Sequence, residues 1–275
     1  MDKRLRYICA CLFANLIALG QPTEIVQDFN ARFGQLSGAF VLLDVSGNRF
    51  IRHNPRQCSQ RFSPASTFKI PNSLIGLETG VITDKNFVIP WDGVRRGNPE
   101  WNRDHTLESA VRFSVVPYFQ ELARRVGPER MKRWIDSLGY GNRDISGGID
   151  RFWLGSTLAI SANEQIDLLR RLQSGNLPFG QRNIDIVREI LILARGSDYV
   201  LRGKTGFADS PGNKAVGWFV GYLEREGKVY LFATNITTDN AERDGAKIFE
   251  LRKPVTRSIL QDLGLLPADE VEKRE

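Results

Sequence analysis

The chain has little of what metal sites and disulfides are made from: its 275 residues include 3 cysteines and 2 histidines. Cys9 and Cys11 fall in an N-terminal segment that reads as a leader, so Cys58 is left alone and no intramolecular disulfide is predicted. His53 and His105 belong to no metal-spaced cluster, which removes zinc chemistry and most of the case for a Ser-His-Asp triad. No apolar run after the first twenty residues is long enough to span a bilayer. There are no internal repeats, low-complexity tracts or long linkers. Nor is there a basic run interleaved with stacking aromatics, so a nucleic-acid partner drops out.

The first twenty residues have a pattern of their own. Lys3, Arg4 and Arg6 precede an apolar run from Tyr7 to Leu19 interrupted only by Asn15, the build of a secretory signal, with Ala18-Leu19-Gly20 as one fit to the cleavage rule. The mature protein is therefore expected to be periplasmic or secreted, with no membrane attachment. The whole chain carries a net charge of +6, and removing three cations and one acid with the leader leaves +4. A mildly basic surface suits an anionic small molecule.

The remaining length can bury a full core. Residues 23–33 carry apolar side chains at Ile25, Val26, Phe29 and Phe33 before Gly34, which predicts a short amphipathic helix. Gly38–Val45 and Asn48–Arg52 flank Ser46-Gly47 and predict a hairpin, its first strand apolar throughout and so interior to a sheet. From about Thr106 to Ala194 the periodicity is helical, broken at Pro117, restarted at Pro128, capped by the Ser161-x-x-Glu164 box, and continued by a helix over 183–194. Strand patterns return at 199–204, 215–223 and 229–236, and a final helix is predicted over 254–263. Strands at both ends around a helical middle predict a mixed α/β fold, with an antiparallel sheet flanked by helices. The α/β domain would comprise residues 21–100 and 196–275, and the inserted all-helical domain residues 101–195.

One stretch, Ser66-Thr67-Phe68-Lys69-Ile70-Pro71, carries a chemical signal. Three residues apart on a helical turn, Ser66 and Lys69 are neighbours, and a lysine held uncharged can take the proton of a serine nucleophile. Taken alone, such a pattern more often marks a helix N-cap followed by a solvated lysine. Pro71, tolerated mainly in a first helical turn, puts Ser66 at the mouth of the helix.

Further segments gain meaning beside it: Ser114-Val115-Val116 at the Pro117 break, Tyr140-Gly141-Asn142 after a helix end, Phe152-Trp153-Leu154, and Lys204-Thr205-Gly206-Phe207 ending a strand. Individually each has a plain structural reading. In this order, together with Ile145-Ser146-Gly147-Gly148-Ile149-Asp150, they resemble the class D, oxacillin-hydrolysing serine β-lactamases over essentially the whole mature chain. The related Ser-x-x-Lys and Lys-Thr-Gly set also marks class A enzymes and penicillin-binding proteins, but Ser-x-Val and Tyr-Gly-Asn point to class D.

The resemblance implies a β-lactam substrate, Ser66 as nucleophile, and Lys69 carboxylated on Nζ by carbon dioxide as general base, with no other cofactor and no metal. It implies Val116, Trp153 and Leu154 around that base, and Ser114 with Lys204 as a proton relay. Backbone N–H groups of Ser66 and Phe207 would form the oxyanion hole beside Gly206. Lys204, Thr205 and Arg252 would bind the substrate carboxylate, with Arg243 and Lys253 as rival cations. Tyr140 and Asn142 match the motif in a role more structural than catalytic. A β-lactam sensor that stays acylated, normally part of a membrane-spanning receptor, and a cell-wall peptidase or transpeptidase are the competing readings. Homodimerisation stays open.

Overall fold

A computed structural model describes residues 21–267; the predicted leader, residues 1–20, lies outside them. Strand β1 (Thr23–Val26) pairs parallel with β3, and a single helical turn, α1 (Asn30–Phe33), follows. The helix predicted over 23–33 is thus a strand and a turn, because pairing with β3 outweighs local periodicity. The hairpin is present as β2 (Ser37–Asp44) and β3 (Arg49–His53). A short helix α2 (Pro55–Cys58) leads to the 3-10 turn Ala65–Phe68, which runs directly into α3 (Lys69–Glu78).

Next come a two-stranded ribbon of β4 (Val88–Ile89) and β5 (His105–Thr106), then α4 (Leu107–Arg112), α5 (Val116–Val126) and α6 (Pro128–Leu138). Helix α7 (Ala162–Ser174) starts on the predicted capping box and stops at Gly175 in the left-handed conformation. Helix α8 (Gln181–Ile190) is shorter than predicted, since residues 192–195 form strand β6 against β7. β7 (Tyr199–Ser210), β8 (Lys214–Arg225) and β9 (Lys228–Thr238) form a meander, and α9 (Ala241–Asp262) is the last element among the described residues.

The predicted start of this last helix at Pro254 is corrected, because Pro254 lies inside it. Its ring sits on the exposed side, while Ile248, Val255 and Ile259 continue one apolar face through it.

Seven strands make one sheet in the order β1-β3-β2-β9-β8-β7-β6, antiparallel except for β1. Both faces are covered, which explains the unbroken apolar run of β2. Ala39, Val41 and Leu43 pack toward α7 and the helical layer, while Phe40 and Leu42 belong to the core under α9. α9 lies so close to β8 that a Cβ on Gly217 would stand 2.5 Å from Ile248 Cγ2. On the other face, α7 and the 3-10 turn lie on the sheet, and α3, buried from Lys69 to Leu77, is wedged among α5, α6 and α8. The lysine at the head of that helix is itself buried, 1% exposed, next to a half-buried Ser66.

Candidate active site

Ser66 sits in the 3-10 turn, where the first N–H groups of a helical segment have no partner within it. The preceding residue, Ala65, is held at φ +47°, a conformation that costs a non-glycine residue about 1–3 kcal/mol and tends to persist where function requires it. Lys69 is 1% exposed, and its Nζ donates to Ser66 Oγ at 2.7 Å. Burial, reinforced by the nearby charge of Lys204, pushes this ammonium well below the ordinary lysine value. The pair has the geometry of a nucleophile and its base.

The break between α4 and α5 positions Ser114, which also adopts a left-handed backbone, φ +53°. Its carbonyl neighbour Phe113 accepts from Trp101 Nε1 at 3.2 Å, fixing the break from outside. Lys204 Nζ donates to Ser114 Oγ at 3.1 Å and to the Thr205 carbonyl at 3.0 Å. Burial, with Arg252 and Lys253 adding repulsion, lowers Lys204 to about 7. Lys204 and Gly206 share one face of β7, and that strand lies tightly against the Ser66 turn: a Cβ on Gly206 would meet the Pro64 carbonyl at 2.9 Å. Close approach of β7 to the turn that carries Ser66 depends on this glycine.

Trp153 is fully buried and stacks on Phe68 at 5.5 Å, yet its Nε1 has no hydrogen-bond partner. Such an orphaned donor costs about 1–3 kcal/mol unless an acceptor completes it. Leu154 and Val116 are half-buried, and Phe119, one turn after Val116, places its ring 5.2 Å from Lys69 Nζ. Sequence reasoning missed Phe119, although its i+3 relation to Val116 on one helix was a usable signal.

Arg252 was predicted in a loop before the last helix; it lies instead in the middle of α9. Its Nε and Nη1 are buried without partners, and its guanidinium stacks 3.6 Å over the Phe249 ring, which meets Phe207 edge to face. Burial lowers its pKa to about 10. The rival Arg243 is already held by Asp244 through bonds of 2.9 and 2.8 Å.

Tyr140 and Asn142 stand apart from the reacting groups. Asn142 ties its turn to residues 157–159, accepting from Ala159 N at 3.0 Å and donating to the Thr157 carbonyl at 2.8 Å, and Tyr140 is buried beside Phe68. Cys58 is buried, with its thiol pushed up to about 11, and His53 and His105 lie in packed surroundings with ring nitrogens engaged. Among the described residues, no cluster of His, Cys, Asp or Glu could hold a metal ion.

A buried lysine-serine pair and a second lysine-serine pair between the sheet and the helical layer, with an unpaired arginine on α9 close enough to depress Lys204, have the make-up of a serine acyl-transfer site. Comparison with known proteins agrees. The penicillin-binding protein transpeptidase domain matches residues 25–261. β-Lactamase OXA-10 of Pseudomonas aeruginosa is 39% identical, covering 94% of this chain and 96% of that protein. The crystal structure of the class D β-lactamase YbXI from Nostoc superposes with a TM-score of 0.80 at 46% identity, covering 87% of this chain and 99% of that one. The regulatory protein BlaR1 of Bacillus licheniformis is 34% identical over 88% of this chain and 40% of its own length. The chain belongs to the class D β-lactamases, serine hydrolases built on the transpeptidase fold.

Proposed function

We propose that this chain hydrolyses the amide bond of penicillin-type β-lactams through an ester on Ser66, and so protects its host from these antibiotics. The observation that carries this is the 2.7 Å contact between Ser66 Oγ and a lysine whose burial favours the neutral amine. Ser66 Oγ loses its proton to the base at Lys69 and attacks the lactam carbonyl carbon. The C–N bond then breaks, and the ring nitrogen takes a proton delivered through Ser114 and Lys204. Negative charge on the carbonyl oxygen is met by the N–H groups of Ser66 and Phe207, where such donors contribute about 3–4 kcal/mol. Water, activated at Lys69, then attacks the ester and frees Ser66.

We further propose that the working base is Lys69 carboxylated on Nζ: the neutral amine adds to the carbon of carbon dioxide and releases one proton. Bound there, held by Lys69 and the Trp153 N–H, the carboxylate would supply an anionic proton acceptor. Two features of the chain support the fit. Desolvation keeps the Lys69 amine free to react, and the partnerless Trp153 N–H is a ready donor to a carbamate oxygen. Arg252, unpaired, with Lys204 and Thr205, would receive the carboxylate of the substrate. The basic and apolar start of the chain supports export to the periplasm or the exterior, and no described helix is long and apolar enough to cross a membrane.

A sensor that remains acylated is the second reading, favoured by the likeness to BlaR1. Intact-mass spectrometry with a penicillin separates the two. A hydrolase shows an adduct that decays as product accumulates, and Ser66→Ala shows none. An adduct that persists for hours without product would make the chain a receptor, and an adduct on Ser66→Ala would move the nucleophile elsewhere.

A further inference from the structure

We propose that Ser63 is a positioning residue for the base: its hydroxyl clamps the backbone that carries Trp153, and thereby sets how well the indole N–H meets a carboxylate on Lys69. This rests on reading Lys69 as carboxylated. Ser63 lies outside the Ser-x-x-Lys motif, three residues before Ser66, and is 8% exposed. Its Oγ donates to the Trp153 carbonyl at 3.0 Å and accepts from Gly155 N at 2.9 Å, so one hydroxyl closes on both sides of Leu154. Its own carbonyl accepts from Trp218 Nε1 at 2.8 Å, which anchors Ser63 to β8.

The loop is equally confined from the opposite side. Gly155 has φ +74°, and a Cβ there would stand 2.2 Å from the Asp209 carbonyl of β7. Reciprocal backbone bonds between Phe62 and Ile160, 2.9 and 2.8 Å, fasten the outer end of the same loop. Residues 153–155 are therefore held between Ser63 and the end of β7, and the Trp153 ring has Phe68 as a stacking floor. The direction of the indole N–H is set by that ring packing together with the peptide groups on either side of it. The peptide after Trp153 is held at its N–H by the Arg151 carbonyl, 2.8 Å, and at its carbonyl by Ser63, so loss of the Ser63 hydroxyl frees that carbonyl and the next N–H and loosens Trp153 without touching Lys69 or the nucleophile.

The experiment is a bicarbonate titration of turnover and of the lysine carbamate carbon-13 signal in wild type, Ser63→Ala, Ser63→Cys and Ser63→Thr. Ser63→Cys keeps the side-chain volume with only a weak donor and acceptor, and so guards against a folding defect in the alanine variant. We expect Ser63→Ala to need several-fold more bicarbonate, on the order of three- to tenfold, for half-maximal turnover, because only the part of the lost hydrogen-bond energy that differs between the free and the carboxylated lysine shifts the midpoint. Ser63→Cys should fall between, and Ser63→Thr should restore the wild-type midpoint. At saturating bicarbonate, kcat should return close to wild type in every variant. A merely structural serine would lower thermal stability and leave the midpoint where it is. Unchanged midpoints in both Ser63→Ala and Ser63→Cys, or a low kcat that bicarbonate does not rescue, would overturn the proposal. Should wild type itself show no carbamate signal and no bicarbonate response, the carboxylation reading fails first; a wild type that responds beside identically responding variants defeats Ser63 alone.

Discussion

The cations of the helical layer and those of the cleft obey opposite rules. On α5, α6 and α7 a carboxylate stands one turn away or across a loop: Arg125 meets Glu121 at 2.8 Å, Arg124 meets Asp150 at 2.7 Å, Lys132 meets Asp136 at 2.6 Å and Arg170 meets Asp167 at 3.0 Å. In the cleft, Lys69 and Lys204 end on hydroxyls, Arg252 lies over an aromatic ring, and among the described residues none of the three forms an ion pair. The surface pairs are exposed, so each contributes little to stability. Buried, uncompensated charges are costly: burial lowers both lysines, and the cations add to it, Arg252 and Lys253 on Lys204 and Lys204 on Lys69. An ordinary core would not retain such a cluster. It becomes intelligible as a site whose missing anions arrive with the substrate and with carbon dioxide, and stability is surrendered to keep it open.

The contrast breaks most visibly at Arg252. If its free guanidinium is the substrate's anionic anchor, Arg252→Ala should lower kcat/KM by about 100-fold, mostly through KM, as for truncation of a desolvated charge pair costing about 2–5 kcal/mol. Arg252→Lys should recover only part, because an ammonium cannot make the planar two-point contact. Steady-state kinetics with a penicillin, and with a substrate analogue lacking the carboxylate, provides the check. The analogue should be nearly indifferent to the substitution; equal losses with both would remove Arg252 from carboxylate binding.

Trp153 tests the second missing anion. A hydrogen bond to a charged group contributes about 1.5–3 kcal/mol, so Trp153→Phe should weaken carboxylation of Lys69 by about tenfold or more. Deacylation should suffer most, since water must still be activated after Ser66 is occupied. The same Lys69 amine sets the expected pH response: burial lowers its pKa and so widens the pH range in which the neutral, carbamate-forming amine is present, and acidification should protonate it and remove the base. Rapid-quench measurement of the acyl-enzyme at pH 6 and 7.5, with and without bicarbonate, should show a longer-lived ester in the variant and relief by bicarbonate. Equal lifetimes in both proteins would leave Trp153 as packing alone.

How much of this was legible in the sequence follows from distance along the chain. Ser66 and Lys69, the Ser161 capping box and the hairpin at Ser46-Gly47 are local patterns, and each stands where the spacing puts it. Lys204-Thr205-Gly206 reads as a strand end because β-propensity fails there, yet β7 runs on to Ser210: the pairing Asp209 with Ala215 and Ser210 with Lys214 holds it extended. Residues 23–26 mislead in the same way, since only their parallel register with β3 makes them a strand. Arg252 was found by motif and misplaced by Pro254, which seemed to require a helix start. Ser63 carries no signal of function in the sequence, and Phe119 only its i+3 spacing from Val116. Their roles arise from loops brought together across 90 residues for Ser63 and from a ring facing Lys69 for Phe119.

A smaller effect is expected in stability, with an inverted sign. Lys204 is lowered from 10.5 to about 7, chiefly by burial. Between those values the unfolded chain holds the extra proton, so this residue makes stability rise with pH from about 7 toward 10, and its cost is fully present below 7. Lys204→Met should therefore abolish turnover yet raise stability at pH 6 by an amount on the order of 1 kcal/mol or more. The gain should shrink as pH approaches 10. Urea midpoints at pH 6, 8 and 9.5 measure it; a variant less stable than wild type at pH 6 would mean that Lys204 is better compensated than its contacts indicate.

The least effect belongs to Arg243, and it is the control that sharpens the comparison. Arg243 is near the start of the same helix as Arg252 and carries the same charge, so a purely long-range account of substrate attraction would give the two similar weight. The contacts argue otherwise. Arg243 is exposed and its guanidinium is already spent on Asp244, whose carboxyl it holds down at about 2, while Asp244 also accepts from Thr238 Oγ1 at 2.6 Å. Screening over a Debye length of about 10 Å at 0.1 M salt leaves little of a neutralised surface pair to be felt in the cleft. Arg243→Ala should leave kcat and KM unchanged at 0.1 M salt, with a marginal fall in melting temperature that added salt erases. A KM defect in Arg243→Ala comparable to that of Arg252→Ala would show that net charge, rather than an unpaired buried guanidinium, recruits the substrate.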